Sequence, residues 1–293
     1  MNSHLSSSAK LPLSVWSTGQ RDPLAQLRDT GCVPGTETDT NWIPPAVAAH
    51  AIATYTSPGD LVLDPDCGAG TVLNEALRAG RHTVGLTAHN QWWALARANI
   101  IAAKAAGSGR DGSVIHARPN VLATVRAAGL IGRVGLVLTA LRAGPDRDSF
   151  DAAVAQLAST FRHCEPLLRS GGHLVAVARP CRYPDGSLVD LTTQLIEAGI
   201  AAGLAPVERC VALTAGLRGS RLITRASLAE RRAARAAGGP VALTAHHEVL
   251  VFQRAHDTEL AEATAVGVPQ PPDDRAEHLP VSRVVHPSGR RAA

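Results

Sequence analysis

Lysine is nearly absent from this 293-residue chain, which has only Lys10 and Lys104, and one Met, two Tyr and three Phe join it among the scarce residues. With so few bulky side chains a core must be built from Ala, Val and Leu, which suits helices packed on a parallel sheet. No run of about 18 apolar residues occurs, and no apolar segment follows the Ser-rich stretch from Met1 to Lys10, so the sequence predicts no membrane span and a cytoplasmic protein. Cys32, Cys67, Cys164, Cys181 and Cys210 are odd in number and widely spaced without a Cys-x-x-Cys pair, which indicates neither a disulfide framework nor a zinc site. The net charge is only +4, almost all of the positive charge being Arg. That is compatible with a nucleic-acid partner without requiring one.

The sequence predicts a loose arm over 1–12, one domain over 13–254 and a disordered tail over 255–293, since both ends are polar and lack periodicity. Between them, apolar runs alternate with helical segments. Helices are expected over Pro45–Tyr55, Thr71–Ala79, Gln91–Ala106, Val121–Ala128, Phe150–Leu168, Leu188–Gly203 and Ser227–Ala237. Strands are expected over Leu61–Asp64, His82–Thr87, Ser113–Ala117, Val134–Thr139, His173–Ala178, Pro206–Thr214 and Glu248–Arg254, with Gly171-Gly172 as a turn. This order predicts an α/β, Rossmann-like fold, a seven-stranded, mostly parallel sheet with helices on both faces.

The stretch Leu61-Val-Leu-Asp-Pro-Asp-Cys-Gly-Ala-Gly-Thr71 reads as a buried strand, an acidic turn and a glycine loop opening a helix. Gly68 and Gly70 let backbone approach a ligand at the helix N-terminus, so the pattern is that of a nucleotide-type site. It differs from the Gly-x-Gly-x-x-Gly of dinucleotide dehydrogenases, having Asp-x-x-Gly-x-Gly with its acid at the strand end.

Asp64-Pro65-Asp66-Cys67-Gly68-Ala69-Gly70-Thr71 resembles the Asp-Pro-Phe-Cys-Gly-Ser-Gly-Thr signature of S-adenosylmethionine-dependent methyltransferases of the DNA amino-methylase superfamily, which modify the exocyclic amino group of adenine or cytosine. Ser57-Pro58-Gly59-Asp60, Gly80-Arg81 and Gly85 fall where that family has its own Pro-Gly-Asp, Gly-Arg and Gly. Val15-Trp16 to Gln20-Arg21, Leu168 to Gly172 and Val207-Glu208-Arg209 further resemble a bacterial branch labelled tRNA guanine methyltransferase-like. The resemblance implies S-adenosyl-L-methionine as cofactor and DNA or tRNA as partner. It places the backbone of Cys67, Gly68, Ala69, Gly70 and Thr71 against the methionine part of the cofactor, counts Pro65 among the cofactor-binding residues, and has Asp64 help to hold the amino group, directly or through water.

Three positions depart from the family pattern. Thr87 stands where an acid binds the ribose hydroxyls, and His116 where an Asp contacts the adenine amino group. The Asp/Ser-Pro-Pro-Tyr motif that grips and stacks a flipped base is replaced by Thr139-Ala140-Leu141-Arg142, leaving Thr139 as the one candidate catalytic residue. The expectation is therefore a methyltransferase-family protein with its cofactor loop kept and its catalytic motif lost. A non-catalytic binding protein and a small-molecule methyltransferase remain alternatives. Trp92 and Trp93 are candidates for stacking on the adenine or for packing in the core. Arg221, Arg225, Arg231, Arg232 and Arg235 are read either as phosphate contacts or as a solvated helix face.

Overall fold

The structure, a computed structural model, describes residues 12–40, 42–124, 129–142, 147–183, 187–236 and 242–256. The arm expected over 1–12 falls there only at its last residue, and the expected tail only at residues 255 and 256. The elements in chain order are β1 (Val15–Trp16), α1 (Pro23–Asp29), α2 (Pro45–Tyr55), β2 (Leu61–Asp64), α3 (Thr71–Arg78), β3 (His82–Thr87), α4 (Asn90–Ala105) and β4 (Gly112–His116). They continue with β5 (Val134–Ala140), α5 (Arg147–Cys164), β6 (Leu168–Ala178), α6 (Leu191–Ala201), β7 (Ala205–Leu213), β8 (Gly216–Arg218), β9 (Arg221–Ile223), α7 (Leu228–Ala236) and β10 (His246–Gln253).

The main sheet has eight strands in the order β1-β7-β10-β6-β5-β2-β3-β4. All neighbours are parallel except β10, which runs antiparallel to both β6 and β7. The expected count of seven is corrected by β1, a two-residue edge strand pairing Val15 with Val211 and Trp16 with Ala212. So short a strand has no periodicity to betray it, and its pairing with β7 is accompanied by the burial of Trp16 against the sheet. A separate hairpin, β8–β9, follows β7.

Alternation along the central strands assigns the helices to the two faces. Val62, Leu136, Leu138, Val175, Val177, Val249 and Val251 pack on one side with Val47, Ala51 and Ile52 of α2 and Val72 and Ala76 of α3. Leu63, Val137, Leu174, Ala176, Leu250 and Phe252 face the other way, against Phe150, Leu157 and Phe161 of α5 and Leu191 and Leu195 of α6. Because both faces are covered, these strands read as unbroken apolar runs. That is why their positions were legible from sequence.

Local chemistry explains the helix starts. The Asp22 carboxylate accepts from the N–H groups of Leu24 and Ala25 with Pro23 in the first turn of α1, and Asp190 accepts from the N–H of Thr193 in α6. Two expectations are corrected. Gly171 and Gly172 lie inside β6, where the pairing with β5 slips between Val134 and Leu136, instead of forming a turn before it. The expected helix over Val121–Ala128 is a 3-10 turn over Pro119–Ala123, its remaining residues 125–128 lying outside the described residues. Among the described residues no helix is long and apolar enough to cross a membrane.

Candidate functional site

Strand order reverses between β2 and β5, and in open α/β sheets that switch point opens a crevice at the C-terminal strand ends. Here those ends are Asp64, Thr87, His116 and Ala140. Gly70, at φ 87°, is the N-cap of α3, and Gly68 sits at φ 50°. A Cβ on Gly70 would lie 2.8 Å from the Cα of Ala96, so this glycine lets α3 and α4 meet. Gly85 lets α3 and the loop pack closely on β3, since a Cβ there would lie 2.6 Å from Leu73 Cδ1 and 2.9 Å from Cys67 Sγ.

The segment 33–39 lies over this loop and is sewn to it by two buried side chains. Asn99 of α4 donates to Thr36 Oγ1 at 2.9 Å and to the Ala69 carbonyl at 2.8 Å, while its own oxygen accepts from the N–H of Val33 at 2.8 Å. All three groups of a buried amide are thus used. Asp39, 2% exposed, accepts the N–H of Ala69 at 3.0 Å. A Cβ on Gly68 would lie 1.8 Å from the same Asp39 oxygen, so the glycine's open face is filled by a carboxylate of the chain itself.

Arg142 closes the arrangement. Its Nη1 lies 3.3 Å from Asp39 Oδ1 and its Nη2 donates to the Asp66 carbonyl at 2.8 Å. Nε stands 3.2 Å from Asp66 Oδ2, near enough for an ion pair but not aligned for a hydrogen bond. Three carboxylates, Asp39, Asp64 and Asp66, therefore surround one guanidinium. Burial pushes the Asp64 carboxyl up to about 7; Arg142 opposes the shift, and Asp66 and Asp39 add to it. Burial raises Asp66 as well, against the pull of Arg142. Burial works against the charge of Arg142, but Asp66, Asp39 and Asp64 outweigh it and hold the guanidinium protonated.

Beside Arg142, at the end of β5, is a cavity of about 410 Å³ lined by Thr139, Ala140, Asp66, Gln156 and Thr160. Thr139, 2% exposed, thus reaches the space that the sequence assigns to an acceptor. Among the described residues no aromatic side chain lines it.

The other candidates are spent locally. Thr87 is buried, and its hydroxyl accepts from the N–H of His89 at 3.5 Å, within the turn after β3. His116 Nε2 lies 3.1 Å from the Ala88 carbonyl, and since a carbonyl only accepts, Nε2 is the donor. Trp93 donates to the Val114 carbonyl at 3.2 Å and packs under Arg97, whose guanidinium carbon lies 5.2 Å from the ring centre. It is therefore a structural residue of the sheet edge. Pro65, Cys67, Ala69 and Thr71 are buried in the loop, and the Thr71 hydroxyl has no hydrogen-bond partner. Among the described residues no group of His, Cys, Asp and Glu could hold a metal ion.

Sequence reasoning missed Asp39, Asn99 and Arg142 as site residues. Asn99 had a visible signal, a polar residue in the stripe Ala96, Ile100, Ala103 on the buried face of α4. Asp39 had none.

Residues 6–97 match the family model described as DNA methylase. That span holds Asp39, the loop Asp64–Thr71 and Thr87, and it ends before His116, Thr139 and Arg142. No curated protein matches the chain. Among solved structures, TrmN from Thermus thermophilus is 16% identical with a TM-score of 0.48, covering 78% of this chain and 53% of its own. This chain therefore spans about half the length of TrmN. A SAM-dependent methyltransferase from Methanosarcina mazei is 14% identical with a TM-score of 0.45, covering 71% of this chain and 98% of its own. Geranyl diphosphate C-methyltransferase from Streptomyces coelicolor, bound to geranyl diphosphate and S-adenosyl-L-homocysteine, is 12% identical with a TM-score of 0.45, covering 72% and 80%. The DNA methylase family match thus spans the signature loop, which lies at the switch point of the sheet, over residues 6–97 of the 293-residue chain.

Proposed function

We propose that this protein binds S-adenosyl-L-methionine on the loop from Asp64 to Thr71 and has given up methyl transfer to a stacked base. The chemistry of the donor set supports the first half. Three carboxylates against one guanidinium favour a cation, and the methionine end of the cofactor carries an ammonium and a sulfonium. Asp64 would hold the ammonium group, with the Asp39 carboxylate that fills the open face of Gly68 adding negative charge beside it. When bound, the cofactor supplies an electrophilic methyl group. The ribose end fits less well, because Thr87 offers a hydroxyl already engaged in its turn where the family has a carboxylate.

The observation that carries the second half is Arg142. It occupies the position of the base-stacking aromatic residue and is tied to Asp39 and Asp66. A guanidinium held in this way cannot offer the ring face that a flipped base needs, and no proline fixes the carbonyl of Ala140. Nucleic acid, DNA or tRNA, is the proposed partner class on family grounds, and the cytoplasm the proposed compartment. Incubation with labelled cofactor and either DNA or tRNA should leave the polymer unlabelled, and a methylated base in either would overturn this half.

One observation favours a second reading. The 410 Å³ cavity sets Thr139, Gln156 and Thr160 among apolar side chains such as Ala152 and Leu157, and suits a small acceptor. Conversion of cofactor to S-adenosylhomocysteine across a panel of small alcohols and amines, lost in Thr139→Val, would support it. Turnover indifferent to the acceptor or to that substitution would refute it.

A further inference from the structure

The segment from Gly216 to Ala236 carries six arginines and one acid, Glu230, a net +5 where the whole chain sums to +4. Glu230 is already committed. It pairs with Arg179, and with Ser227 it forms a reciprocal capping box at the start of α7, accepting the Ser227 N–H at 2.7 Å while its own N–H donates to Ser227 Oγ at 3.1 Å.

The remaining charge is arranged against local stability. In the β8–β9 hairpin Arg218 stands directly opposite Arg221, and Leu217 opposite Leu222. Like charges at facing positions destabilise a pair of strands, and an isolated two-stranded hairpin is marginal to begin with. The apolar side chains gain little in return, Leu217, Leu222 and Ile223 being 42%, 55% and 46% exposed. On α7 the inner face, Glu230, Ala233 and Ala234, lines a cavity of about 710 Å³. The outer face carries Leu228, Arg231, Arg232 and Arg235 at helical spacing, all exposed. Arg231 and Arg235 are four apart, a spacing at which like charges repel. Among the described residues no carboxylate pairs with Arg218, Arg221, Arg231, Arg232 or Arg235.

Arg225 is the exception that fixes the unit in place. Its guanidinium donates to the carbonyls of Gly19 and Gln20, each at 2.9 Å from Nη2, and so anchors the hairpin to the segment after β1. The hairpin leaves the C-terminal end of β7, which lies at the same end of the sheet's strands as Asp64 and Thr139.

We propose that β8–β9 and the outer face of α7 form a docking surface for the phosphate backbone of a nucleic acid, with Arg218, Arg221, Arg231, Arg232 and Arg235 as its phosphate contacts. Facing arginines that weaken a bare hairpin are neutralised by a polyanion, and the exposed Leu217, Leu222 and Ile223 lie against sugars. The proposal rests on nucleic acid as partner class and is independent of cofactor binding.

Anisotropy of labelled duplex DNA and of a hairpin RNA, titrated with the full chain between 50 and 200 mM salt, tests it. Five phosphate contacts give a log–log salt slope of about −4.5 on duplex DNA. Arg218→Gln with Arg221→Gln should make it shallower by about 1.8, and the three α7 substitutions by about 2.7. Melting temperatures should hold or rise, since repulsion is removed, and the heat of cofactor binding should not change. A slope unmoved in the fivefold variant overturns the proposal. So does binding to vesicles containing phosphatidylserine with none to either nucleic acid.

Discussion

Replacing Arg142 by Leu removes the guanidinium that pairs with Asp39 and Asp66 near Asp64 and leaves these carboxylates without it. Breaking a buried pair from one side costs roughly 3–5 kcal/mol. The Arg142 side chain is 21% exposed and that of Asp39 only 3%, which puts the cost near the low end, about 3 kcal/mol. At about 2–4 °C per kcal/mol for a domain of this size, the melting temperature should fall by roughly 6–12 °C. Urea unfolding at pH 7.5 of the wild type, Arg142→Leu, Asp39→Asn and the double variant measures the effect. Because Asp39→Asn takes away one of the stranded charges, the double variant should be less destabilised than the sum of the singles, by about 1 kcal/mol or more. Additive single effects, or a loss from Arg142→Leu below about 0.5 kcal/mol, would refute the reasoning that this ion cluster holds the loop.

Asp64, raised to about 7 from an ordinary 3.8, keeps a proton in the folded state that the unfolded chain loses between these values. Its contribution to stability is present below pH 4, falls as pH rises to 7, and is constant above. His247, lowered to about 4 chiefly by burial, acts in the opposite sense, its contribution being lost as pH falls from 6.5 to 4. The wild-type profile mixes these with Glu75, also raised to about 7, with Asp66, and with His50 and His173, so the informative quantity is the difference from Asp64→Asn, which should decline by up to roughly 4 kcal/mol across pH 4 to 7. A flat difference would show that Asp64 ionises normally. In α6 a Cβ on Gly199 would lie 2.2 Å from Phe252 Cε1, so Gly199→Ala should cost about 1–3 kcal/mol despite the better helix propensity of Ala. A neutral or stabilising result in thermal unfolding would show that the Phe252 ring moves aside.

The central strands and the glycine loop were legible because their determinants are local. Leu61-Val62-Leu63 is apolar on both faces, and Gly68 and Gly70 announce a turn with positive φ. What stayed hidden depends on contacts between distant segments. β1 exists only through its pairing with β7, and Asp39 and Arg142 meet at the loop from about 30 residues before it and about 75 after it. By the resemblance, Asp66 stands where the signature has Phe, and Arg142 where the acceptor motif has Tyr. Only the fold shows that these two exchanges make one ion pair. Thr87 and His116 were legible as replacements, while their engagement with the N–H of His89 and the Ala88 carbonyl was not.

Calorimetry with S-adenosyl-L-methionine tests the central claim most directly, that the carboxylate-rich loop is a site for the cofactor's cationic end. The expected result is binding tighter than about 100 µM, roughly 5.5 kcal/mol, weaker for S-adenosylhomocysteine, which lacks the sulfonium charge, and weakened at least tenfold in Asp64→Asn. Proton release near pH 7 should accompany binding, because a cation beside Asp64 lowers its pKa. No heat at millimolar ligand with folded protein, or affinity unaltered in Asp64→Asn, would contradict it.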